Sequence, residues 1–306
     1  MLNHQFNTSL ELLKTVISSG KQAYGIFGSP IAHSLSPLMH NEAFKYRNIN
    51  AVYLPFLVAE SELETALKTV VEGGISGLNI TLPLKQAVIP LLDSITPDAK
   101  KIGAVNTIVV SNNTLKGYNT DLRGFLAPLR NSIKAMQFEN AVVFGSGGAA
   151  RTVLYALLKN CKLSSVTLIT IEKARGSRLL NEAESWKKYD TILQMASFDD
   201  TKDSAEILWN SRLIVNCTPL GMSGYNEDFP EHFFRFLRPG QIVYDLVYTP
   251  LKTKLLYEGE KRGAIPISGL DMLIEQGAAS FKLWTQQIMP IKAIKTLLLY
   301  QEEMLK

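Results

Sequence analysis

The chain has 306 residues, of which 46% are hydrophobic and 20% charged, enough to bury a sizeable core and to predict two globular domains. Its 32 basic and 28 acidic residues leave a net charge of +4 without a long basic run, a pattern that does not indicate a nucleic-acid groove and favours a small anionic ligand. No apolar stretch has the length of a membrane span, and the N-terminal residues lack the continuous apolar core of a signal peptide. We therefore expect a soluble, cytoplasmic protein that does not bind membranes.

The first part of the chain, from Tyr24 to about Val110, alternates short apolar runs with helical patterns. The runs AYGIFG, AVYLPFLV and GLNITLP predict strands, and helices are predicted from Pro37 and from Ser61, which forms a capping box with Glu64. Such alternation is typical of an α/β layer structure.

A second series begins near residue 140, with the apolar runs AVVF, VTLIT, LIVNC, QIVYDLV and AIPIS separated by helical patterns. Continuous apolar strands between helices predict a doubly wound parallel sheet covered on both faces. After Ser268 the pattern is helical to the end, with an apolar stripe from Leu270 to Trp284 that we expect to pack on the first domain.

The strand AVVF leads directly into a glycine loop, Gly145-Ser146-Gly147-Gly148-Ala149-Ala150, followed by a helix. Glycines permit a tight turn and the close approach of a pyrophosphate, whose charge is met by backbone N–H groups and the helix dipole. The third glycine of the usual fingerprint is Ala150 here. Alone this motif is weak, since a glycine-rich turn is often structural, but the β-α-β context favours a dinucleotide.

Past the second strand of this series the chain reads Thr170-Ile171-Glu172-Lys173-Ala174-Arg175. An acidic residue here can accept hydrogen bonds from the ribose hydroxyls of NAD, whereas a basic cluster would hold the additional phosphate of NADP. Because both kinds of side chain are present, the pattern is also compatible with the solvated start of a surface helix.

Cys161 and Cys217 are the only cysteines, too few for a disulfide framework, and neither belongs to a Cys/His cluster that could bind a metal. We expect both thiols to be reduced and buried, and no metal site. His33 has no partner that the sequence reveals, and we expect it to be structural.

Seven polar motifs surround the glycine loop on both sides. They are Gly28–Pro37, Asn79–Lys85, Gly103–Thr107, Asn119–Asp121, Asn216–Met222, Asp245–Pro250 and Gly269–Gln276. Taken together and in this order, they resemble the shikimate dehydrogenase family, including its quinate/shikimate branch, from about Tyr24 to Trp284.

The resemblance implies an NAD(P)-dependent oxidoreductase that reversibly reduces 3-dehydroshikimate to shikimate in aromatic amino acid (chorismate) biosynthesis. It places a substrate-binding catalytic domain at 1–121 with 269–306 and a dinucleotide-binding Rossmann domain at 122–268. Lys85 and Asp121 fill the family's catalytic positions. The chemistry agrees, because oxidising a secondary alcohol requires a group that holds the oxygen and exchanges its proton, and an ammonium beside a carboxylate can do both.

The resemblance also implies the residues of two binding sites. The substrate-binding residues are Ser34, Ser36, Asn79, Thr81, Asn106, Tyr248 and Gln276. Ser34 and Ser36 match the family's carboxylate ligands, whereas Asn79, Asn106 and Gln276 match its ring-hydroxyl ligands. The cofactor-binding residues are Gly145, Ser146, Gly147, Gly148, Ala149, Glu172, Arg175, Cys217, Thr218, Pro219, Met222 and Gly269.

One departure from the family bears on the cofactor. Its NADP-using members commonly carry Asn-Arg-Thr-x-x-Arg after the second strand of the nucleotide domain, whereas this chain has Thr170, Ile171 and Glu172 at the first three positions and keeps only Arg175. We therefore expect NADP or NAD, with a lean towards NAD.

Several alternatives stay open. The chain could be an NAD-dependent quinate/shikimate dehydrogenase working oxidatively, or a non-catalytic regulator that binds shikimate. A dinucleotide-binding interaction module is a further alternative, but it leaves the motifs before residue 125 unexplained. The expected partners are small molecules, with quinate as a second substrate, and the expected state is a monomer or homodimer.

Overall fold

The computed structural model describes residues 2–32, 34–130, 132–133, 139–198 and 201–304, with the backbone alone for 201–203 and 302–304. His33, which we expected to be structural, lies outside the described residues. Within the described part of the chain, no helix combines the length and apolar character that spanning a membrane requires.

The chain divides into two compact units, Met1–Asp121 with Ile274–Lys306, and Leu122–Leu273. The division before the C-terminal segment therefore falls after Leu273, whereas the sequence suggested a boundary at 268/269. The reason lies in Gly269, where an added Cβ would lie 2.3 Å from the Leu246 carbonyl oxygen, so the start of this helix packs within the second unit.

The first unit is an α/β layer around a six-stranded sheet. Its elements are α1 (His4–Ser18), β1 (Gln22–Gly28), α2 (Ser36–Tyr46), β2 (Ala51–Leu57), α3 (Leu63–Glu72), β3 (Gly77–Ile80), β4 (Ser94–Ile95), α4 (Pro97–Ile102), β5 (Thr107–Ser111) and β6 (Thr114–Tyr118).

The strand order of this sheet is β2-β1-β3-β5-β6-β4. Strand β1 pairs in parallel with β2 and β3, whereas β5 is antiparallel to both β3 and β6. The β5–β6 hairpin is an addition to the predicted pattern. Its turn is formed by Asn112 and Asn113, both with positive φ, the backbone that a two-residue hairpin turn requires and that asparagine tolerates.

The predicted capping box at Ser61 and Glu64 is wrong. Helix α3 begins at Leu63, after a short 3-10 helix over Glu60–Glu62. The carboxylate that caps this region belongs to Glu62, which accepts hydrogen bonds from the Ala59 backbone N–H at 3.3 Å and from Asn3 Nδ2 at 3.2 Å. The helix start is therefore fixed partly by a contact distant in sequence.

The second unit is a doubly wound α/β layer, as the sequence predicts. Its elements are α5 (Asp121–Leu129), β7 (Asn140–Phe144), α6 (Gly148–Asn160), β8 (Ser165–Ile169), α7 (Lys173–Ala183), β9 (Ile192–Ala196), α8 (Thr201–Trp209), β10 (Ser211–Asn216), β11 (Ile242–Asp245), α9 (Lys254–Lys261) and β12 (Ile265–Ser268).

The strand order is β12-β11-β10-β7-β8-β9, and every pair is parallel. Strand β7 lies between β8 and β10, so the order reverses there, and the carboxyl ends of β7 and β10 are where such sheets bind ligands. The edge strand β9 was not predicted, because its sequence ILQMA is largely exposed and lacks a continuous apolar run.

The chain ends with α10 (Gly269–Thr285) and α11 (Ile291–Met304). The apolar stripe of α10 is buried at Ile274 and Phe281, and Trp284 Nε1 donates a hydrogen bond to the carbonyl oxygen of Ile108 in β5 at 3.0 Å. From Ile274 onwards this segment belongs to the first unit, as the apolar stripe predicts.

Candidate active site

Lys85 and Asp121 form an ion pair in the first unit, with 2.6 Å between Nζ and Oδ2. Lys85 lies in the turn after β3, where its carbonyl oxygen accepts a hydrogen bond from the Val105 backbone N–H at 2.8 Å. Asp121 is the first residue of α5. The side chains are 19% and 6% exposed, so the pair is held out of bulk water while the lysine stays accessible to a small ligand.

Asn106 connects this pair to the C-terminal helix. Its Nδ2 donates to Asp121 Oδ1 at 2.8 Å and approaches Gln276 Oε1 at 3.3 Å, and its Oδ1 accepts from the Thr120 backbone N–H at 2.7 Å. The Thr120 N–H can only donate, so the amide oxygen must face it and the amide nitrogen must face Asp121. Both carboxylate oxygens of Asp121 are thus engaged, one by Asn106 and one by Lys85.

Asn79 is also buried, and its amide is engaged within the protein. Its Oδ1 accepts from the Tyr53 hydroxyl at 2.7 Å, while its Nδ2 lies 3.1 Å from Thr107 Oγ1, Ser280 Oγ and the Asn106 carbonyl oxygen. The Nδ2 group is fully used by these contacts, whereas Oδ1 has a second lone pair that can accept from a ring hydroxyl.

The buried residues Tyr53, Thr107, Thr120 and Ser280 were missed as functional candidates. Thr107 and Thr120 belong to the polar motifs Gly103–Thr107 and Asn119–Asp121, but nothing in the sequence indicates that their hydroxyls are in contact. Ser280 carried a usable signal, since it is a polar residue one helical turn after Gln276 on the apolar side of α10.

Ser34 and Ser36 lie together at the start of α2. Ser34 Oγ accepts a hydrogen bond from the Ser36 backbone N–H at 3.3 Å. Thr81 lies on the neighbouring strand end, where a Cβ on Gly28 would meet its Cγ2 at 2.3 Å. Glycine at position 28 is therefore what allows Thr81 to approach the end of β1.

The second unit forms the glycine loop where β7 ends. Gly145 has φ +99°, which disfavours any residue with a side chain, and an added Cβ would lie 3.1 Å from Thr218 Cγ2. Ser146 Oγ lies 3.1 Å from Thr170 Oγ1. Helix α6 starts at Gly148, and Ala149 lies in its first turn. Its N-cap residue is Gly147, so no side chain caps the N-terminus of the helix.

Glu172 and Arg175 lie at the start of α7, with Arg175 Nη1 3.5 Å from Glu172 Oε1. The Arg175 guanidinium also reaches the glycine loop, since its Nη2 is 3.9 Å from the position of a Cβ on Gly147. A close backbone, an N-terminus without a side-chain cap and a nearby guanidinium fit a dinucleotide pyrophosphate. An acid and a base therefore lie together beside the loop.

Thr218 is held beside Gly145 by a buried network. Asn216 Oδ1 accepts from the Thr218 backbone N–H at 2.9 Å and from its hydroxyl at 2.6 Å, and Asn216 Nδ2 donates to Asp245 Oδ1 at 2.9 Å. Asp245 also accepts from the Thr253 hydroxyl at 2.6 Å. Burial raises the pKa of Asp245 to about 6, although hydrogen bonds from Thr253, Val247 and Asn216 oppose the shift.

The other predicted cofactor-binding residues follow β10 and β12 in the chain. Cys217 follows β10, and burial together with the charge of Asp245 raises its thiol pKa, so it is a protonated, unreactive thiol. The Met222 backbone N–H donates to the Pro219 carbonyl oxygen at 3.0 Å. Gly269 packs on Leu246 and Val247, next to Tyr248 in the sequence.

Both cysteines are free, Cys161 buried and Cys217 partly so. Among the residues that the structure describes, no group of three or more His, Cys, Asp or Glu side chains is placed to hold a metal ion.

Comparisons with known proteins match this arrangement at both ends of the chain. The family model of the shikimate dehydrogenase substrate binding domain matches residues 26–108, and that of the shikimate 5'-dehydrogenase C-terminal domain matches residues 269–299.

Whole-chain relatives agree. A shikimate dehydrogenase (NADP(+)) of Alkaliphilus metalliredigens is 39% identical over 285 residues, covering 92% of this chain and 98% of the relative. Another, of Carboxydothermus hydrogenoformans, is 40% identical over 89% of this chain and 94% of its own. A solved shikimate 5-dehydrogenase of Listeria monocytogenes, in complex with shikimate and NAD, superposes with a TM-score of 0.80 at 30% identity, covering 91% of this chain and 96% of that one. The chain therefore belongs to the shikimate dehydrogenase family of NAD(P)-dependent oxidoreductases, which act on a CH–OH group.

Proposed function

We propose that this chain catalyses the reversible reduction of 3-dehydroshikimate to shikimate in aromatic amino acid biosynthesis, with Lys85 and Asp121 handling the proton. The observation that carries the proposal is the 2.6 Å contact between Lys85 Nζ and Asp121 Oδ2 in a largely buried setting. A lysine at this distance from a carboxylate is oriented rather than mobile, as proton transfer to a bound oxygen requires.

A nicotinamide dinucleotide bound at the glycine loop would supply the hydride in the reductive direction. Lys85 Nζ holds the carbonyl oxygen and gives it a proton as negative charge develops there. Asp121 keeps the ammonium in place through Oδ2, while its Oδ1 is fixed by Asn106. In the oxidative direction the same nitrogen takes the proton from the alcohol.

The substrate residues follow the same proposal. Ser34 and Ser36 bind the carboxylate, and Thr81 lies nearby. Asn106 and Gln276 contact ring hydroxyls beside Asp121, and Asn79 contacts a ring hydroxyl through its Oδ1. Hydroxyls and amides suit a small polyol acid, because they orient it without needing a full opposite charge. We propose Tyr248 as a further substrate-binding residue, because it matches a tyrosine of the family's substrate site.

The first test is Lys85→Ala. General acid–base catalysis contributes about 10²–10⁴-fold, so kcat should fall by at least that order with a smaller change in substrate affinity. Lys85→Arg keeps the positive charge but cannot release its proton, and it should be similarly impaired. Lys100→Ala, at an exposed lysine of α4, is the matched control. If Lys85→Ala keeps more than about half of the wild-type kcat at saturating substrate, Lys85 is not the acid–base group.

We also propose that the enzyme accepts NAD and prefers it weakly over NADP. The Glu172 carboxylate can accept hydrogen bonds from ribose hydroxyls and repels a 2′-phosphate. Arg175 acts in the opposite direction, and its 3.5 Å approach to Glu172 partly neutralises that carboxylate. Each effect is worth about 1–2 kcal/mol, so the difference is small.

Initial rates with shikimate and with quinate, each against NAD and NADP, test cofactor and substrate together. Glu172→Ala should raise kcat/KM with NADP relative to NAD. A wild-type kcat/KM about tenfold higher with NADP, equivalent to 1.4 kcal/mol, would overturn the NAD preference.

Two other functions are distinguished by the same four assays. Glu172 favours an NAD-dependent quinate/shikimate dehydrogenase working oxidatively, for which quinate with NAD would be a good pair. A non-catalytic regulator that binds shikimate would show no turnover in any of them. The expected oligomeric state is a monomer or a homodimer, to be checked by light scattering.

A further inference from the structure

Thr107 occupies a central position in the first unit. In the antiparallel pairing of β3 and β5 it lies directly opposite Asn79, and side chains of such a pair share a face of the sheet. Helix α10 brings Ser280 to the same place, and Thr120 follows β6 on the next strand. Thr107, Thr120 and Ser280 are thereby brought together, and none is exposed by more than 5%.

The Thr107 hydroxyl contacts both amides of the candidate active site. Its Oγ1 is 3.1 Å from Asn79 Nδ2, 3.1 Å from Asn106 Oδ1, 3.0 Å from Thr120 Oγ1 and 2.8 Å from Ser280 Oγ. The Thr107 hydroxyl therefore links the Asn79 and Asn106 amides directly.

The chemistry of these contacts gives the hydroxyl a direction. Asn79 Nδ2 can only donate and Asn106 Oδ1 can only accept, so Thr107 can accept from the first while it donates to the second. That arrangement opposes a flip of Asn79, because its oxygen would then compete with Asn106 Oδ1 for the single hydroxyl hydrogen of Thr107. At Asn106 the Thr107 hydroxyl adds a second donor to Oδ1, beside the Thr120 backbone N–H. One lone pair of the Thr107 hydroxyl then remains, and it can accept from either the Ser280 or the Thr120 hydroxyl.

We propose that Thr107 is a positioning residue, which orients the Asn79 and Asn106 amides and, through Asn106, the Asp121 carboxylate that pairs with Lys85. The inference rests on the proposed function of Asp121 and Lys85. Thr107 contacts neither of them, so its effect on the reaction passes through Asn106. Supporting shells of this kind hold reacting groups in productive geometry.

The test compares Thr107→Val, which removes the hydroxyl at nearly constant shape, with Thr107→Ser, which keeps it. We expect kcat/KM for shikimate to fall at least about tenfold in the valine variant and to return within about threefold of wild type in the serine variant. The KM for the dinucleotide should stay within about twofold. Thr191→Val is the matched control, because Thr191 is a buried threonine of the second unit whose hydroxyl donates to the Leu163 carbonyl oxygen at 2.9 Å.

A double-mutant cycle separates positioning from a general loss of stability. In an Asn106→Ala background the amide that links Thr107 to Asp121 is gone and only the contact with Asn79 remains, so Thr107→Val should lower kcat/KM by less than about threefold further. Full multiplication of the two effects would overturn the proposal. So would a Thr107→Val enzyme within threefold of wild type, or a serine variant as impaired as the valine one.

All variants are assayed well below their own melting temperatures. If Thr107→Val does not fold, Ser280→Ala takes its place, since it removes the nearest hydroxyl partner; it should lower kcat/KM at least about threefold, and an unchanged value would contradict the proposal. Failure of the underlying function gives a different result, namely an inactive wild type or a fully active Lys85→Ala enzyme.

Discussion

Ser34 shows how a single side chain can be prepared for a ligand. Its Oγ accepts a hydrogen bond from the Ser36 backbone N–H at 3.3 Å. A hydroxyl has two lone pairs and one hydrogen, so this contact still allows it to donate to a carboxylate. The same short segment thus starts a helix and orients a donor.

We expect Ser34→Ala to raise the KM for shikimate about tenfold or more, because losing a hydrogen bond to a charged group costs about 1.5–3 kcal/mol. The measurement includes a substrate analogue whose carboxylate is replaced by a neutral group. Ser61→Ala, at an exposed serine of the same unit, is the control. Equal discrimination by Ser34→Ala against the acid and the neutral analogue would show that Ser34 does not bind the carboxylate.

At the residue scale, the sequence predicted which residues belong to the candidate site better than it predicted the contacts between them. The sequence indicated Lys85, Asp121, Asn106 and Gln276 through their motifs, and the structure brings these four side chains together. The hydroxyls of Thr107, Thr120 and Ser280 were not indicated, because their meeting depends on strand register and on the packing of α10.

The β7–α6 connection shows what an element contributes. Gly145 has φ +99° and packs against Thr218, whereas Gly20, after α1, has φ +74° with nothing within 4 Å of an added Cβ. An L-residue at positive φ costs about 1–2 kcal/mol in either place. Only at Gly145 does the new methyl group also contact a loop that would hold the cofactor.

We therefore expect Gly145→Ala to raise the KM for the dinucleotide at least about fivefold, while Gly20→Ala lowers only the free energy of unfolding, by about 1 kcal/mol. Steady-state kinetics and denaturant unfolding measure the two effects. Equal cofactor KM values in both variants would indicate that the turn at Gly145 is structural.

Elements with a continuous apolar run were predicted within a few residues, as β7, β8 and β10 illustrate. The edge strand β9 and the β5–β6 hairpin were not. An edge strand has only one neighbour and can be polar, so its sequence carries a weak signal.

Over the whole molecule, two buried titratable groups respond to pH with opposite signs, one in each unit. His40 in the first unit is fully buried, and neither ring nitrogen has a hydrogen-bond partner among the described residues. Burial lowers its pKa from 6.5 to about 3. Asp245 in the second unit has its pKa raised by burial from 3.8 to about 6.

The unfolded chain protonates His40 below pH 6.5 whereas the folded chain does not, so stability is lost as pH falls towards 3, by up to about 5 kcal/mol. Asp245 has a higher pKa in the folded than in the unfolded chain, so its protonation stabilises the fold below pH 3.8. This contribution, about 3 kcal/mol, is lost as the pH rises towards 6. Acidification from pH 6.5 to 4 should therefore weaken the first unit relative to the second.

Backbone hydrogen exchange, corrected for the intrinsic effect of pH, measures the two units separately in one sample. His40→Phe keeps an aromatic ring stacked on Tyr53, whose centroid lies 4.5 Å from that of His40, and should remove much of the acid sensitivity of the first unit. An unchanged acid midpoint in this variant would show that other groups set it.

The sequence by itself determined the two α/β halves, the glycine turn and the motifs that identify the family, because these depend on local patterns of apolar runs, glycines and polar residues. Only the tertiary structure decided which polar groups meet. Asp121 pairs with Lys85 and with Asn106, which precedes β5, and Asn106 in turn approaches Gln276 in α10, more than 150 residues away from Asp121. Hydrogen bonds require distances near 3 Å, and such distances between remote residues are set by strand register and helix packing, which no local pattern encodes.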